Sequence, residues 1–248
     1  MRLTIENENT FCSTSFIQKL HLTESINMKS VILNLLLLCS FFLFTSCGKA
    51  IKAESIVESK DSQTRLLEGN QRYLSGKQIK SRSFNARRTE TGQTQKPFAI
   101  ILSCADSRVP PEIIFDQGLG DLFVIRIAGN IVTDEVLASI EYAVEHLHVK
   151  FIMVLGHERC GAVGAAVKGG PNHSGHLETL IRAINPAVED AKEQPGDLLD
   201  NAVKSNANLV AKQLNTSEPI LKEIVKKGKL KIVSARYDLD DGKVEILN

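Results

Sequence analysis

The chain has no excess of either charge: 30 Lys and Arg stand against 29 Asp and Glu, a formal +1 over 248 residues. That balance gives no reason to expect nucleic acid or an acidic polymer as a partner, and it suits a small neutral substrate. Also missing is an apolar run long enough to span a bilayer. The most apolar stretch, residues 31–44, falls short of the about 20 residues that a spanning helix needs. Cysteine is scarce too, with only Cys12, Cys39, Cys47, Cys104 and Cys160 in the whole chain, too few for a disulfide-stapled scaffold. What is present, 43% hydrophobic and 24% charged residues, is the profile of an ordinary folded protein with one sizeable core.

Residues 28–47 have the layout of a secretory leader: Met28-Lys29-Ser30, the short apolar run, then Thr45-Ser46-Cys47-Gly48. Phe44-Thr45-Ser46-Cys47 resembles the bacterial lipoprotein cleavage box, with phenylalanine where leucine is usual. It implies lipidation of Cys47 and an exported, periplasmic protein anchored to a membrane. Residues 1–27 are polar and patternless, an unstructured leader or a mis-assigned start upstream of Met28. Residues 48–60 are charged and suit a tether, which puts the folded domain at 61–248. Removal of the leader and lipidation of Cys47 would leave that domain two thiols, Cys104 and Cys160.

Within the domain, Leu66, Leu67, Tyr73 and Leu74 recur at helical spacing, and residues 81–96 carry charge and turn formers, predicting a helix and then a surface loop. Continuous apolar runs at 98–102, 122–127 and 151–155 predict strands buried on both faces. Helical periodicity lies between the second and third, after Gly161, and around 177–184 and 207–214. Strands are expected at 230–233 and 244–247. The alternation predicts an α/β fold with a mainly parallel central sheet flanked by helices, which binds ligands at the carboxyl ends of its strands.

Two polar clusters fall at such ends. Cys104-Ala105-Asp106-Ser107-Arg108 follows the first strand, and residues two apart in extended chain share a face. Gly156-His157-Glu158-Arg159-Cys160 follows the third, and a spacing of three at a helix start brings His157 and Cys160 to one side. Two thiolates and an imidazole form a normal zinc set, and three protein ligands with a fourth position open to water mark a catalytic site. A Cys104–Cys160 disulfide is the competing use of the thiols, and it leaves His157 idle. His173 and His176 sit in a Gly/Pro-rich loop without a third ligand type and are taken as surface residues.

CADSRVPPE (104–112) and GHERCGAV (156–163) resemble the two zinc-binding signatures of the beta-class carbonic anhydrases. The likeness extends from RLLEGNQRYLSGK through FDQGLGDLFVIRIAGN to SARYDLDDGKVEIL. The resemblance implies a zinc lyase that reversibly hydrates carbon dioxide to bicarbonate and a proton. It implies one Zn²⁺ per subunit on Cys104, His157 and Cys160, Asp106 and Arg108 as a catalytic pair, and Gln117 touching substrate across the interface of a homodimer or tetramer. Zn²⁺ with two thiolates and a neutral imidazole is formally neutral, so it should acidify water less than the three-histidine carbonic anhydrase site, itself the source of the pKa of about 7 quoted for zinc-bound water. Asp106 would then help by accepting a hydrogen bond from the water. In a closed state Asp106 itself would become the fourth metal ligand, and Arg108 would oppose this by pairing with it. The tryptophan common in the bicarbonate pocket of closed-state members is absent, since the chain has none. The alternatives are a zinc hydrolase of carbonyl sulfide or carbon disulfide, and a non-catalytic lipoprotein that binds zinc or bicarbonate.

Overall fold

A computed structural model describes residues 61–79, 84–169 and 175–247. The leader, Cys47, the tether and His173 lie outside the described residues. The first described helix, α1 (Ser62–Leu74), carries Leu66 inward and is followed by α2 (Phe84–Thr91). Residues 84–91 therefore correct the expected loop. No residue of α2 is buried, so it has no apolar periodicity to read. It is held instead by Arg87, which donates to the Leu119 carbonyl at 2.9 Å and to Asp121 at 2.9 Å.

The sheet is built from β1 (Ala99–Ser103), β2 (Leu122–Arg126), β3 (Phe151–His157), β4 (Lys231–Tyr237) and β5 (Val244–Ile246). Their order is β2-β1-β3-β4-β5. The first four run parallel and β5 pairs antiparallel with β4. Every residue of β1 and β3 is buried, as an uninterrupted apolar run requires when helices cover both faces. Between β1 and β2 the chain makes a one-turn helix, α3 (Pro111–Ile114). A 3-10 turn (Ala128–Asn130) follows β2 and leads to α4 (Asp134–Glu145). Thr133 caps α4 by accepting from the Val136 amide, which satisfies one of the free donors at a helix start.

After β3 come α5 (Gly161–Lys168), α6 (Leu177–Lys192), α7 (Leu198–Thr216) and α8 (Ile220–Lys226). Both α6 and α7 outrun their predicted spans. Pro186 lies inside α6, where it removes one backbone hydrogen bond, yet Ile181, Ile184, Val188 and Ala191 all bury on one stripe and carry the helix past it. Side chains alternate between two core clusters. Ile101, Met153 and Val233 pack with Val163, Ile184 and Val203 on one face, and Ile100, Leu102 and Ile152 with Ile140, Val210 and Leu221 on the other.

The first described helix, α1, is locked to this body by one glycine and one asparagine. A Cβ on Gly69 would stand 1.8 Å from the Phe115 carbonyl oxygen, so α1 can lie this close to the end of α3 only with hydrogen at that position. Buried Asn70 donates to the Gly242 carbonyl at 2.9 Å and accepts from the Val244 amide at 3.0 Å, which ties α1 to β5. Strand order places the site. The chain leaves β1 for β2 on one side and returns to β3 on the other, so the crevice at the carboxyl ends of β1 and β3 is the switch point where α/β sheets bind ligands.

Candidate metal centre

Cys104 is the first residue beyond β1, His157 is the last of β3, and Cys160 caps the N-terminus of α5. All three are buried, and their candidate ligand atoms, Sγ, Sγ and a ring nitrogen, lie within 4.8 Å of one another. The two sulfurs are 3.9 Å apart and both cysteines are free. No disulfide joins them, so the competing use of the pair is set aside.

The histidine is prepared as a ligand. Its Nδ1 lies 2.9 Å from the Glu158 carbonyl, which can only accept, so Nδ1 carries the proton and Nε2 keeps its lone pair. Nε2 is buried and has no hydrogen-bond partner. A buried acceptor left this way costs about 1–3 kcal/mol unless something engages it. A cation beside two sulfurs is what the donor set fits.

The route by which these residues meet differs from the sequence expectation. His157 and Cys160 do not share a helix face: His157 is in the strand, and the link runs through Arg159 at φ +50°. Asp106 and Arg108 converge through a turn rather than extended chain, with the Arg108 amide donating to Asp106 Oδ1 at 2.9 Å and the Val109 amide to the Asp106 carbonyl. The Arg108 guanidinium then binds both carboxylate oxygens, at 2.9 and 2.8 Å. This hydrogen-bonded pair holds the Asp106 carboxyl below the usual carboxylate range. Asp106 Oδ2 stands 3.9 Å from His157 Nε2, beside the cluster but engaged by Arg108.

The two thiols share one contact, which favours a thiolate on one sulfur and a thiol on the other. The contact between the two sulfurs lowers Cys104, against the effect of burial, with further help from His157 and the Gly129 amide. Cys160 is pushed up by its bond to Cys104 and by burial, while the Ala162 and Val163 amides at the start of α5 act in the opposite sense. Those amides are the helix-terminus contribution that favours negative charge at the N-cap.

Gln117 is not part of this cluster. Its Nε2 donates to the Phe115 carbonyl at 2.6 Å and its Oε1 is buried without a partner. Sequence reasoning missed Arg126, at the end of β2, which donates through Nε to the Cys104 carbonyl at 3.1 Å and through its terminal nitrogen to the Asp106 carbonyl. An arginine closing an apolar strand at the ligand-binding edge of the sheet was the available signal.

A profile of the carbonic anhydrase family matches residues 99–244, a span that holds both cysteines, His157, Asp106 and Arg108. The chain belongs to the beta-class carbonic anhydrases. Carbonic anhydrase 2 of Mycobacterium tuberculosis is 40% identical over 182 residues, covering 72% of this chain and 87% of that relative. Among solved structures, a beta-carbonic anhydrase of Coccomyxa in complex with acetazolamide superposes with a TM-score of 0.60 at 27% identity, covering 76% of this chain and 87% of that one. One of two tetrameric beta-carbonic anhydrases from Sordaria macrospora superposes at 0.59 with 26% identity, over 66% of this chain and 90% of its own. The enzyme hydrates carbon dioxide reversibly to bicarbonate and a proton. Action on carbonyl sulfide or carbon disulfide, or a non-catalytic role, is not favoured.

Proposed function

We propose that this carbonic anhydrase holds one zinc ion per subunit through Cys104 Sγ, Cys160 Sγ and His157 Nε2, and that Asp106 and Arg108 form the pair that orients its reacting water. The observation that carries the reading is His157 Nε2, buried, unpartnered and grouped with two free sulfurs. The chemistry zinc supplies in such a set is Lewis acidity toward water, which makes a nucleophile available at moderate pH.

The protein's own groups do the rest. The Glu158 carbonyl fixes the imidazole tautomer. Arg126 fastens the backbone that carries Cys104 and Asp106. Asp106, ionised and held on both oxygens by Arg108, is placed to accept a hydrogen bond from the reacting water and so orient it, and is restrained from becoming a metal ligand. The closed state expected as an alternative would require that pairing to break.

The active assembly is proposed to be a homodimer or tetramer. Exposed Phe84, Ile113 and Leu119, at 80, 59 and 48%, offer apolar surface for it, and Gln117 would meet substrate from a neighbouring subunit. Metal analysis and sedimentation of one full-length sample test both points. About one zinc per subunit, removable by a chelator together with activity, is expected in particles of two or four chains. A metal-free active enzyme would defeat the ligand assignment, and an active monomer would defeat the assembly and the role of Gln117.

Lipid anchoring at Cys47 and a periplasmic location complete the reading, supported by the lipoprotein-type box at 44–47. In a bacterial host, Cys47→Ser should release the protein from the membrane fraction and abolish palmitate incorporation. Unchanged membrane association in that variant would remove the anchor from the proposal.

A further inference from the structure

Cys104 receives a hydrogen bond that its own loop does not supply. The Gly129 amide, in the turn after β2, donates to Cys104 Sγ at 3.4 Å, an ordinary length for a sulfur acceptor. The same residue's carbonyl accepts from Asn206 Nδ2 at 2.7 Å. Asn206 lies on α7, 77 positions further along the chain, and is 2% exposed. The two hydrogen bonds therefore sit on either side of one Cα.

That Cα has little freedom. Gly129 has φ +71° and Asn130 φ +44°, both in the left-handed region that side chains disfavour. A Cβ on Gly129 would meet Ile184 Cδ1 at 2.6 Å and the Ala162 Cβ at 3.4 Å, so α5 and α6 close around a turn whose positive φ favours glycine. The Asn206 bond to the carbonyl on one side of this Cα and the sulfur contact of the amide on the other hold the turn between them. Without the Asn206 donor, the Gly129 carbonyl would be a buried acceptor in need of a partner, and a rotation of the turn to find one would carry the amide off the sulfur.

We propose that Asn206 is a positioning residue for the metal centre, acting through the Gly129 peptide to hold one hydrogen bond on the Cys104 sulfur. The inference rests on zinc ligation by Cys104 and goes beyond it by assigning a role to a residue on a helix that contributes no ligand. A hydrogen bond on a ligating thiolate draws electron density from the sulfur and fixes its direction, and outer partners of this kind commonly change metal affinity by about 10–100-fold when lost.

The test compares Asn206→Leu, which removes the donor at similar volume, and Asn206→Asp, which sets an acceptor against the Gly129 carbonyl. Ser205→Ala is the control: Ser205 is buried on the same helix, but its hydroxyl contacts Asp190 and Gln194 rather than the turn. Zinc release to a chelator is timed in the full-length proteins, and the thiolate-to-metal charge-transfer band is recorded after cobalt(II) replaces zinc. Release roughly 10-fold faster, with a charge-transfer band moved to lower energy in both Asn206 variants and unmoved in Ser205→Ala, is the expected result. A merely structural loss would lower thermal stability without moving that band. Release rates and bands equal to wild type in the Asn206 variants, or an equal shift in Ser205→Ala, overturn the proposal. Wild-type protein that binds no zinc overturns both it and the ligand assignment beneath it.

Discussion

Replacing His157 with alanine is expected to empty the metal centre and lower carbon dioxide hydration by roughly 10³-fold. The magnitude follows from Lewis-acid stabilisation worth several kcal/mol, about 4 kcal/mol being close to three decades of rate. Histidine is the informative ligand to remove because its position is over-determined. It ends β3 in register with Tyr237 of β4, its Nδ1 is committed to Glu158, and Nε2 is buried without a hydrogen-bond partner. Alanine keeps the strand and deletes the ring, with its lone pair and its bond to the Glu158 carbonyl. The two cysteines remain 3.9 Å apart but cannot complete three-point ligation. Metal analysis beside a hydration assay checks the result, with circular dichroism to show that the sheet persists. A folded His157→Ala protein with a full zinc complement would mean that the metal is held elsewhere.

Arg108→Lys is expected to lower hydration by about 10²-fold while zinc stays bound, the scale on which a positioned polar group beside the reacting water contributes. The guanidinium reaches both oxygens of Asp106 with parallel bonds of 2.9 and 2.8 Å, a fork that an ammonium cannot copy. Lysine would leave one oxygen unheld, and Oδ2 already lies 3.9 Å from His157 Nε2. A carboxylate freed there competes for the position that water needs. The wild-type rate should rise toward alkaline pH, because a formally neutral ligand set acidifies water weakly, and the variant's rise should move to higher pH. Zinc lost in parallel with activity would show that Arg108 supports the ligands rather than Asp106.

The parts of the molecule readable in advance were those whose cause is local. Ala99–Ser103 and Phe151–His157 are strands because unbroken apolar residues must be buried on both faces. Helix α2 was missed because its residues face solvent and an arginine tethers it to a distant loop. Helix α6 runs past the expected 184 and through Pro186, because Ile181, Ile184, Ala187, Val188 and Ala191 bury along it. The site divides in the same way. Cysteine and histidine spacing announced a metal set, but the expected helical face joining His157 to Cys160 gave way to a turn with Arg159 at positive φ.

By itself the sequence determined which atoms are available for chemistry: two sulfurs, an imidazole, a carboxylate and a guanidinium at the ends of buried strands. It also carried the family, since side-chain identity and spacing along the chain are properties of the chain. Only the tertiary structure decided that Arg126 grips the backbone of the Cys104 loop, that Gln117 stands apart from the cluster, and that Asn206 and Gly129 reach the Cys104 sulfur. Such contacts join segments distant in sequence, and no local periodicity encodes them. They exist because the sheet order brings the ends of β1 and β3 together and the helices close over the turn beside them.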